Sequence, residues 1–364
     1  MQEPPRGLHA VVRALASSPV AALERGVELT PQSWPDDDEL RSDDVIVEVR
    51  SANVGWVDLL MSSGQYQHVP ELPYTPGLEY AGEIVWRGRD VTGVEIGAGV
   101  IADGLSTGPR SKGAHRRWGG FARWAVAPAD AVLPLPSSFS FDEGACLLGG
   151  AETAYHALVH RARLRAGETV LVLGATGSTG LAAVALAKLQ GAIVIAAGRS
   201  PEKLAVVRAQ GADHVIVLGD DAPRLSAEVK RITDGHGADV VYDPVGGDAS
   251  SEGLRAAAYG ARVLVVGWAS TPLVARGGRD PNTLPTNLIL MKSLDVLGSP
   301  AAIAVHRDPS VRARRLTDIL AWARAGRMRP HVGAHFELGE LNAALRAKWE
   351  GRYAGNVVVR PTAG

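Results

Sequence analysis

The feature that most constrains the fold is an alternation of short apolar runs and helical segments between residues 169 and 298. The runs 169–173 and 192–197 are each followed by a segment of helical character, at 181–190 and 201–210. Apolar strands that alternate with helices are typical of a parallel sheet covered on both faces. This part of the chain therefore predicts a doubly wound α/β domain.

A glycine-rich turn joins the first apolar run to its helix. The turn consists of Gly174, Ala175, Thr176, Gly177, Ser178, Thr179 and Gly180. A strand, such a turn and a helix form the context in which proteins bind dinucleotides, because the N–H groups of the helix start face the pyrophosphate. We expect Gly177 to allow close approach of the backbone and Gly180 to allow the helix to pack on the strand. Ala175 stands where the first glycine of the fingerprint would be, and a purely structural turn is the alternative.

The end of the second apolar run indicates which dinucleotide is bound. An NAD site usually has an acidic residue there to bind the ribose hydroxyls. This chain instead has Arg199 and Ser200, with Lys203 one helical turn further on and no carboxylate before Glu202. A guanidinium pairs well with phosphate oxygens, so this pattern favours NADPH over NADH. Ser200 followed by Pro201 is also an ordinary helix start, and both interpretations can hold together.

The first part of the chain has a different sequence pattern, with short strand-like runs and few helical segments. Glycine and proline separate short strand-like runs, which is typical of a barrel-like or sandwich domain. These runs are 45–50, 81–86, 99–102 and 121–126. The tail carries a long helix at 311–324, a second at 338–350 and a strand at 356–360, and we expect it to rejoin the first domain.

Composition excludes several classes of protein. The net charge is −1, which gives no general attraction for nucleic acid or for an anionic membrane. The one cysteine, Cys146, excludes an internal disulfide and a zinc site of four thiolates. The apolar stretch 181–187 is far shorter than the ~20 residues of a membrane span, and residues 1–7 lack the apolar core of a signal peptide. We therefore expect a cytoplasmic protein with no membrane and no nucleic-acid partner.

Several ordered motifs together resemble those of the medium-chain dehydrogenase/reductase superfamily, specifically its zinc-independent quinone oxidoreductase-like branch. The similarity extends over nearly the whole chain. The motifs are Asn53-Val54-Gly55-Trp56-Val57-Asp58, Pro76-Gly77-Leu78-Glu79-Tyr80-Ala81-Gly82, Gly119-Gly120-Phe121-Ala122, Gly150-Ala151-Glu152-Thr153-Ala154-Tyr155 and Asp243-Pro244-Val245-Gly246-Gly247.

The resemblance implies an α/β fold with two domains. A GroES-like, β-rich catalytic domain would occupy residues 1–151, and a Rossmann domain that binds NADPH would occupy 152–299. Residues 300–364 would return to the catalytic domain. Members of this family are usually homodimers or homotetramers, so the resemblance implies the same here.

The positions that bind zinc in metal-dependent relatives are occupied by Gly55 and Leu78. Neither residue can be a metal ligand. Without a Lewis acid the oxidation of an alcohol is difficult, whereas reduction of a quinone or a polarised C=C needs mainly alignment and hydrogen bonds. The resemblance therefore implies an NADPH-dependent reductase of quinones or enones, with a small-molecule substrate and no metal.

The resemblance also assigns the remaining site residues. Tyr66 and Asn53 would be catalytic, as an O–H donor and an amide donor, and the others would bind the cofactor. Those others are Thr153, Gly267, Trp268 and Asn356. Two departures from relatives stand out: Glu152 beside Thr153, and the long basic loop 103–118. Glu152 would orient substrate or cofactor, or face a helix N-terminus, and the loop would be solvated or select an anionic substrate.

Two alternative functions remain open at this point. One is an enoyl-thioester reductase of a biosynthetic pathway, for which the basic loop would bind a phosphopantetheine or CoA group. The other is a protein that binds NADPH without turnover.

Overall fold

The computed structural model describes residues 7–25, 27–111, 113–219, 222–271 and 282–361. The chain divides into two compact units, one formed by Met1–Leu148 with His331–Gly364 and the other by Gly149–Pro330. The first unit is hereafter the catalytic unit and the second the Rossmann unit. The three-part order along the chain is that of the prediction, but the return to the first unit occurs at residue 331 and not at 300.

The strands in the described ranges lie as follows. They are β1 (Gly7–Val11), β2 (Glu28–Gln32), β3 (Asp44–Asn53), β4 (Glu79–Arg87), β5 (Gly99–Ala102), β6 (Trp124–Pro128), β7 (Val132–Pro134), β8 (Thr169–Val172), β9 (Ile193–Gly198), β10 (His214–Val217), β11 (Ala238–Asp243), β12 (Ala257–Val265), β13 (Asp295–Gly298), β14 (Val332–Glu337) and β15 (Asn356–Arg360).

The helices alternate with these strands mainly in the second half of the chain. They are α1 (Pro19–Arg25), α2 (Trp56–Ser62), α3 (Phe141–Ala145), α4 (Leu148–Tyr155), α5 (Ser178–Leu189), α6 (Pro201–Ala209), α7 (Leu225–Ile232), α8 (Asp248–Ala256), α9 (Thr286–Met291), α10 (Ala301–Arg307), α11 (Ser310–Arg324) and α12 (Leu341–Trp349). A π-helix spans His156–Arg161, and short 3-10 helices span Asp37–Glu39, Ala114–Arg117, Ala129–Ala131 and Leu338–Glu340. None of the helices in the described ranges has the length and apolar character needed to span a bilayer.

The Rossmann unit contains the parallel sheet that the alternating pattern predicts. Its strand order is β10-β9-β8-β11-β12-β13, and all neighbouring strands are parallel. Helix α5 packs on β8 and β9, whereas α8 packs on β11 and β12. The residues of β8 are buried throughout, which explains why this strand is a continuous apolar run and not an alternating one. The α/β fold class is confirmed.

The catalytic unit is built on a largely antiparallel sheet. Its order is β14-β15-β3-β4-β5-β7, and β6 also pairs with β3, at residues 44–48, while β15 pairs with residues 52–53. Among these described strands only β14 and β15 are parallel. The imperfect alternation of β3 has a structural cause, since both of its faces are covered. Val45, Val47 and Val49 lie in the main core, while Ile46 packs in a second cluster with Trp124.

The structure does not support the predicted end of the Rossmann domain near residue 300, since the second unit continues to Pro330. Buried polar contacts that the sequence pattern does not reveal join the residues beyond 300 to this unit. Helix α11 was expected to belong to the returning tail, but its side chains bind to α4 of the Rossmann unit. Arg312 and Arg315 both pair with Glu152, and Asp318 accepts a hydrogen bond from the Tyr155 hydroxyl at 2.7 Å. These contacts place α11 in the second unit.

Candidate active site

The glycine-rich turn begins at the carboxyl end of β8 with a residue in left-handed conformation. Gly174 has φ +57°, and a Cβ there would lie 2.8 Å from Cγ2 of Val245. The left-handed position of the turn is therefore Gly174, and Ala175 at the next position is fully buried, with its N–H donated to the Ala197 carbonyl at 3.1 Å. The turn is thus anchored to β9, and the alanine there fits the local backbone.

Gly180 lies where α5 makes its closest approach to the turn. A Cβ on Gly180 would be 2.4 Å from the Gly174 carbonyl oxygen and 2.7 Å from the Ala175 Cα, so no other residue fits without movement of the backbone. Gly177, just before the helix, is different. It has φ −82° and is exposed, and among the described residues a Cβ there would meet only the Gly174 oxygen, at 3.5 Å. Protein packing thus explains Gly180, whereas it leaves the space above Gly177 open.

The residues after β9 form the start of α6. Ser200 caps this helix, since its hydroxyl oxygen accepts the N–H of Lys203 at 3.2 Å. The same hydroxyl donates to the Glu202 carboxylate at 2.7 Å, which lowers the pKa of Glu202. Arg199 directly follows the strand and is exposed. The structure therefore contains both features that the sequence allowed, a capped helix and a basic residue at the strand end, together with a nearby carboxylate.

The carboxyl ends of β11 and β12 lie on the same edge of the sheet as the turn after β8, because the three strands are parallel neighbours. Asp243 organises this edge, with one carboxylate oxygen accepting the N–H groups of Val245 and Gly246 at 2.9 and 3.0 Å. Its other oxygen accepts a hydrogen bond from Ser250. Asp243 was noted only as part of a motif, and the residues Asp-Pro-Val-Gly-Gly after an apolar run were the signal for it.

Gly267 and Trp268 follow β12 at this edge. The Gly267 N–H approaches the Asp243 carbonyl at 3.3 Å, and a Cβ on Gly267 would lie 2.9 Å from the Pro244 oxygen. The indole N–H of Trp268 is buried and has no hydrogen-bond acceptor within the described ranges. A buried donor without a partner is costly, so this group is suited to a bound ligand.

Thr153 and Glu152 are neighbours on α4, and Thr153 is half-buried. Glu152 is 6 % exposed, and its carboxylate pairs with Nη2 of Arg312 at 2.5 Å and with Nη2 of Arg315 at 2.7 Å. The charge of Glu152 is thus paired with two arginines of α11. Arg312 lies 160 residues from Glu152 in the chain. A pattern of neighbouring residues in the sequence therefore could not reveal this ion pair.

In the catalytic unit, Asn53 ends β3 directly opposite Glu79 on β4. The Asn53 side-chain nitrogen donates to a Glu79 carboxylate oxygen at 2.7 Å. Since a carboxylate only accepts, this bond fixes the orientation of the amide. Oδ1 of Asn53 is then left buried with no hydrogen-bond donor in the described part of the chain. Asn53 was expected to act as an amide donor, but the group it presents is an acceptor.

Two ionisable groups near this pair were missed by sequence reasoning. Asp58 is 3 % exposed and accepts the N–H groups of Gly55 and Gly77 at 2.9 and 3.0 Å. Burial nevertheless raises the pKa of Asp58 to about 7. Burial of the Lys348 ammonium lowers its pKa to about 8, against the opposing effect of nearby acidic groups. No spacing rule joins Asp58 to a lysine at the other end of the chain, so only the fold brings them together.

Tyr66 lies in an apolar cluster with Leu60, Met61 and Leu78, and its ring contacts that of His68 edge-on at 6.1 Å. Leu78, at the position of a zinc ligand in metal-dependent relatives, is 5 % exposed in this cluster. Among the residues that the structure describes, no group of three or more His, Cys, Asp and Glu is placed to hold a metal. The surroundings of Leu78 are those of a packed apolar side chain.

Asn356 is the first residue of β15 in the catalytic unit, and its side chain forms a hydrogen bond within the protein. Its backbone N–H and its side-chain nitrogen both donate to the His331 carbonyl at 3.0 Å. These bonds join the chain entering β14 to β15. The structure thus gives Asn356 a local structural partner.

Basic side chains of the loop 103–118 form ion pairs and hydrogen bonds with acidic residues outside the loop. His115 hydrogen-bonds Asp44 at 2.8 Å with both side chains buried, and Arg117 pairs with Glu39 at 2.6 Å. Arg116 pairs with Glu71 at 3.5 Å. Lys112 lies outside the described residues. Much of the positive charge of the loop is therefore paired, which removes one argument for an anionic substrate.

Comparisons with known proteins agree with this geometry. Residues 41–137 match the alcohol dehydrogenase GroES-like domain, and residues 178–304 match the zinc-binding dehydrogenase family. The quinone oxidoreductase-like protein 2 homolog of Nematostella vectensis is 34% identical over 93% of this chain and 88% of its own. The chain belongs to the medium-chain dehydrogenase/reductase superfamily, in its quinone oxidoreductase-like branch.

Other members of the superfamily are similar over most of their length. Human quinone oxidoreductase is 31% identical over 88% of this chain and 93% of its own. Among solved structures, a probable oxidoreductase from Mycobacterium abscessus superposes with a TM-score of 0.79 at 28% identity, covering 98% of this chain and 100% of the other. Fold and family are thus established.

Proposed function

We propose that the protein is an NADPH-dependent oxidoreductase that reduces a quinone or the C=C bond of an α,β-unsaturated carbonyl without zinc. The observation that carries this proposal is the turn of residues 174–180, in which Gly180 is required by packing while the space above Gly177 is open. An open glycine at the start of a helix is the arrangement that admits a pyrophosphate.

The residues present fit a dinucleotide. Residues 174–180 would hold the pyrophosphate, and Arg199, Ser200 and Lys203 would hold the 2′-phosphate. Thr153, Gly267 and Trp268 would border the nicotinamide, where the indole N–H, which has no acceptor among the described residues, suits a ligand acceptor. Asn356 remains a proposed contact of the cofactor phosphates. When bound, NADPH supplies the hydride, and the protein contributes alignment and hydrogen bonds.

The substrate end is assigned to the catalytic unit. The Tyr66 hydroxyl would donate to the carbonyl oxygen on which negative charge develops during hydride transfer. Asn53 would accept a hydrogen bond through Oδ1, which Glu79 orients by holding the amide nitrogen. The packed Leu78 and the absence of a side chain at Gly55 support a reaction without zinc.

A homodimer or homotetramer is part of the proposal. Leu290 and Met291 are 82% and 71% exposed on α9. This helix precedes β13, the edge strand of the parallel sheet, and two adjacent exposed apolar side chains there suit a contact between subunits. Sedimentation of the native protein and of the variant L290E/M291E tests this point, and a monomer in both would contradict it.

One assay tests the reaction. Protein and NADPH are mixed with a quinone, a simple enone or an enoyl-CoA, and the loss of NADPH absorbance is followed. We expect turnover with the quinone or enone. Turnover with enoyl-CoA alone would assign a thioester reductase, and NADPH binding without turnover on any acceptor would assign a non-catalytic role. NADPH that does not bind at millimolar concentration would refute the proposal as a whole.

A further inference from the structure

The Rossmann unit contains a cavity of about 1020 Å³ whose wall includes Glu168, Asp239 and Asp295. Glu168 precedes β8, whereas Asp239 and Asp295 lie in the first two positions of β11 and β13. These are the amino ends of parallel strands. The glycine-rich turn follows the carboxyl end of β8, so the cavity opens at the opposite edge of the sheet from the proposed nucleotide site.

The wall of this cavity is rich in arginine, and we call it the arginine cavity. Its guanidinium groups belong to Arg161, Arg163, Arg165, Arg262, Arg314 and Arg315. The carboxylates of the wall are those of Glu168, Asp239 and Asp295. Arginine is charged at every accessible pH. Two of these arginines are paired with acids outside the wall, Arg314 with Asp318 and Arg315 with Glu152, so the positive charge of the cavity rests on the others.

The carboxylates are largely occupied by other groups. Glu168 pairs with Arg262 at 2.5 Å. Asp239 accepts the N–H of Thr169 at 2.8 Å and contacts His236 at 2.9 Å. Neither Arg163 nor Arg165 has a side-chain hydrogen bond or ion pair to any residue in the described ranges, and both are exposed. These two guanidinium groups have the hydrogen-bonding capacity to bind an external anion.

The backbone that presents them is unusual in two respects. The π-helix His156–Arg161 forms part of the wall, and π-helical turns occur mostly at functional sites. Arg163, two residues later, has φ +51°, a left-handed conformation that costs a non-glycine residue roughly 1–2 kcal/mol. The conformation of Arg163 ends this helix, because the N–H of the next residue, Leu164, donates to the Leu158 carbonyl at 2.9 Å, and it leaves the Arg163 side chain on the cavity wall.

The dimensions and chemistry of the wall define the ligand. Ligand pockets typically enclose ~300–1,000 Å³, so this cavity accommodates a small molecule. Guanidinium forks match phosphate oxygens and bind them with charge-assisted hydrogen bonds. Tyr259 also lines the cavity, and it is 79% exposed, which leaves its ring face available for stacking.

We propose that the arginine cavity binds a small molecule carrying a di- or triphosphate group, at a site separate from the glycine-rich turn. Bare polyphosphate and a nucleoside di- or triphosphate share this chemistry. Tyr259 distinguishes them, because a nucleobase has a face to stack on the ring and a bare polyphosphate has none.

Calorimetric titration of the native protein with tripolyphosphate tests the proposal, with NADPH present so that the proposed pyrophosphate site is filled. We expect R163Q/R165Q to weaken tripolyphosphate binding by about tenfold or more, since two charge-assisted contacts are lost. The control R89Q/R324Q removes the same charge from exposed positions elsewhere, and we expect a change below about twofold. ATP that binds more tightly than tripolyphosphate, with the gain lost in Y259A, identifies a nucleotide, and equal affinities identify recognition of the phosphates alone.

Three outcomes would overturn the proposal. They are unchanged tripolyphosphate affinity in R163Q/R165Q, an equal loss in the control variant, and a change of oligomeric state caused by R163Q/R165Q. The last would show that these arginines form a contact between subunits. The comparison of the two double variants does not depend on NADPH binding, so failure of the proposed function would be recognised separately.

Discussion

Gly177 and Gly180 lie three residues apart in one turn, and the structure predicts opposite consequences for their replacement by alanine. At Gly180 the new Cβ would lie 2.4 Å from the Gly174 oxygen, roughly 1 Å inside normal contact, and both atoms belong to rigid backbone. Overpacking of this kind costs about 1–3 kcal/mol, which exceeds the gain of up to ~1 kcal/mol for alanine over glycine within a helix. We therefore expect G180A to destabilise the Rossmann unit.

At Gly177 the new Cβ would meet, within the part of the chain that the structure describes, only the Gly174 oxygen, at an ordinary 3.5 Å. We expect G177A to leave the free energy of unfolding unchanged within about 0.5 kcal/mol, because nothing in the protein is displaced. The methyl group would instead occupy the space proposed for the pyrophosphate, and we expect NADPH affinity to fall by about tenfold or more.

Thermal unfolding and NADPH titration of both variants separate these effects. For a domain of this size ~1 kcal/mol corresponds to a shift in Tm of about 2–4 °C. G219A is the matched control, since a Cβ on Gly219 meets no atom of the described residues within 4 Å. If G177A bound NADPH as tightly as the native protein, the pyrophosphate would not lie over this glycine, and the proposed role of the turn would be refuted.

Three further predictions address the cofactor, the proposed catalytic hydroxyl of Tyr66 and a buried acid. R199A should raise KM for NADPH about tenfold with KM for NADH unchanged, whereas R208A, on the helix α6 that follows, should alter neither; equal effects on both cofactors would contradict a 2′-phosphate contact. Y66F should lower kcat by about tenfold or less in the quinone assay, because positioning supplies most of the catalysis, and a loss above about a thousandfold would make Tyr66 an essential acid. Burial raises the pKa of Asp58 to about 7 in the folded protein. The contribution of protonated Asp58 to stability is therefore complete at a pH below the ordinary pKa of an aspartate, and it is lost as the pH rises towards 7 and beyond. Urea unfolding should therefore show the native protein losing stability relative to D58N between pH 4 and pH 8, by up to about 4 kcal/mol, and a constant difference would refute the shift.

The parallel sheet could be predicted because its determinants are local. Runs such as β8 are apolar throughout because both faces are covered, and glycines mark the turn where the backbone needs positive φ or close packing. The strand-to-helix boundaries were less certain. The helix expected at residues 181–190 begins earlier, at Ser178, and ends at Leu189.

The candidate site was only partly predictable for a physical reason. The sequence identified residue types, but hydrogen-bond partners far apart in the chain decide what each group offers. Asn53 presents a hydrogen-bond acceptor because its side-chain nitrogen donates to Glu79. The negative charge of Glu152 is balanced because two arginines of α11 form ion pairs with it. Neither relation follows from spacing.

The sequence by itself determined the fold class, the family and the position of the glycine-rich turn, since these depend on periodicity and on backbone constraints within a few residues. The tertiary structure decided where the chain returns to its first unit, which carboxylates are paired and which arginines remain available around the arginine cavity. Those properties depend on burial and on contacts between distant segments, and burial sets the pKa of Asp58 only after the fold has enclosed it.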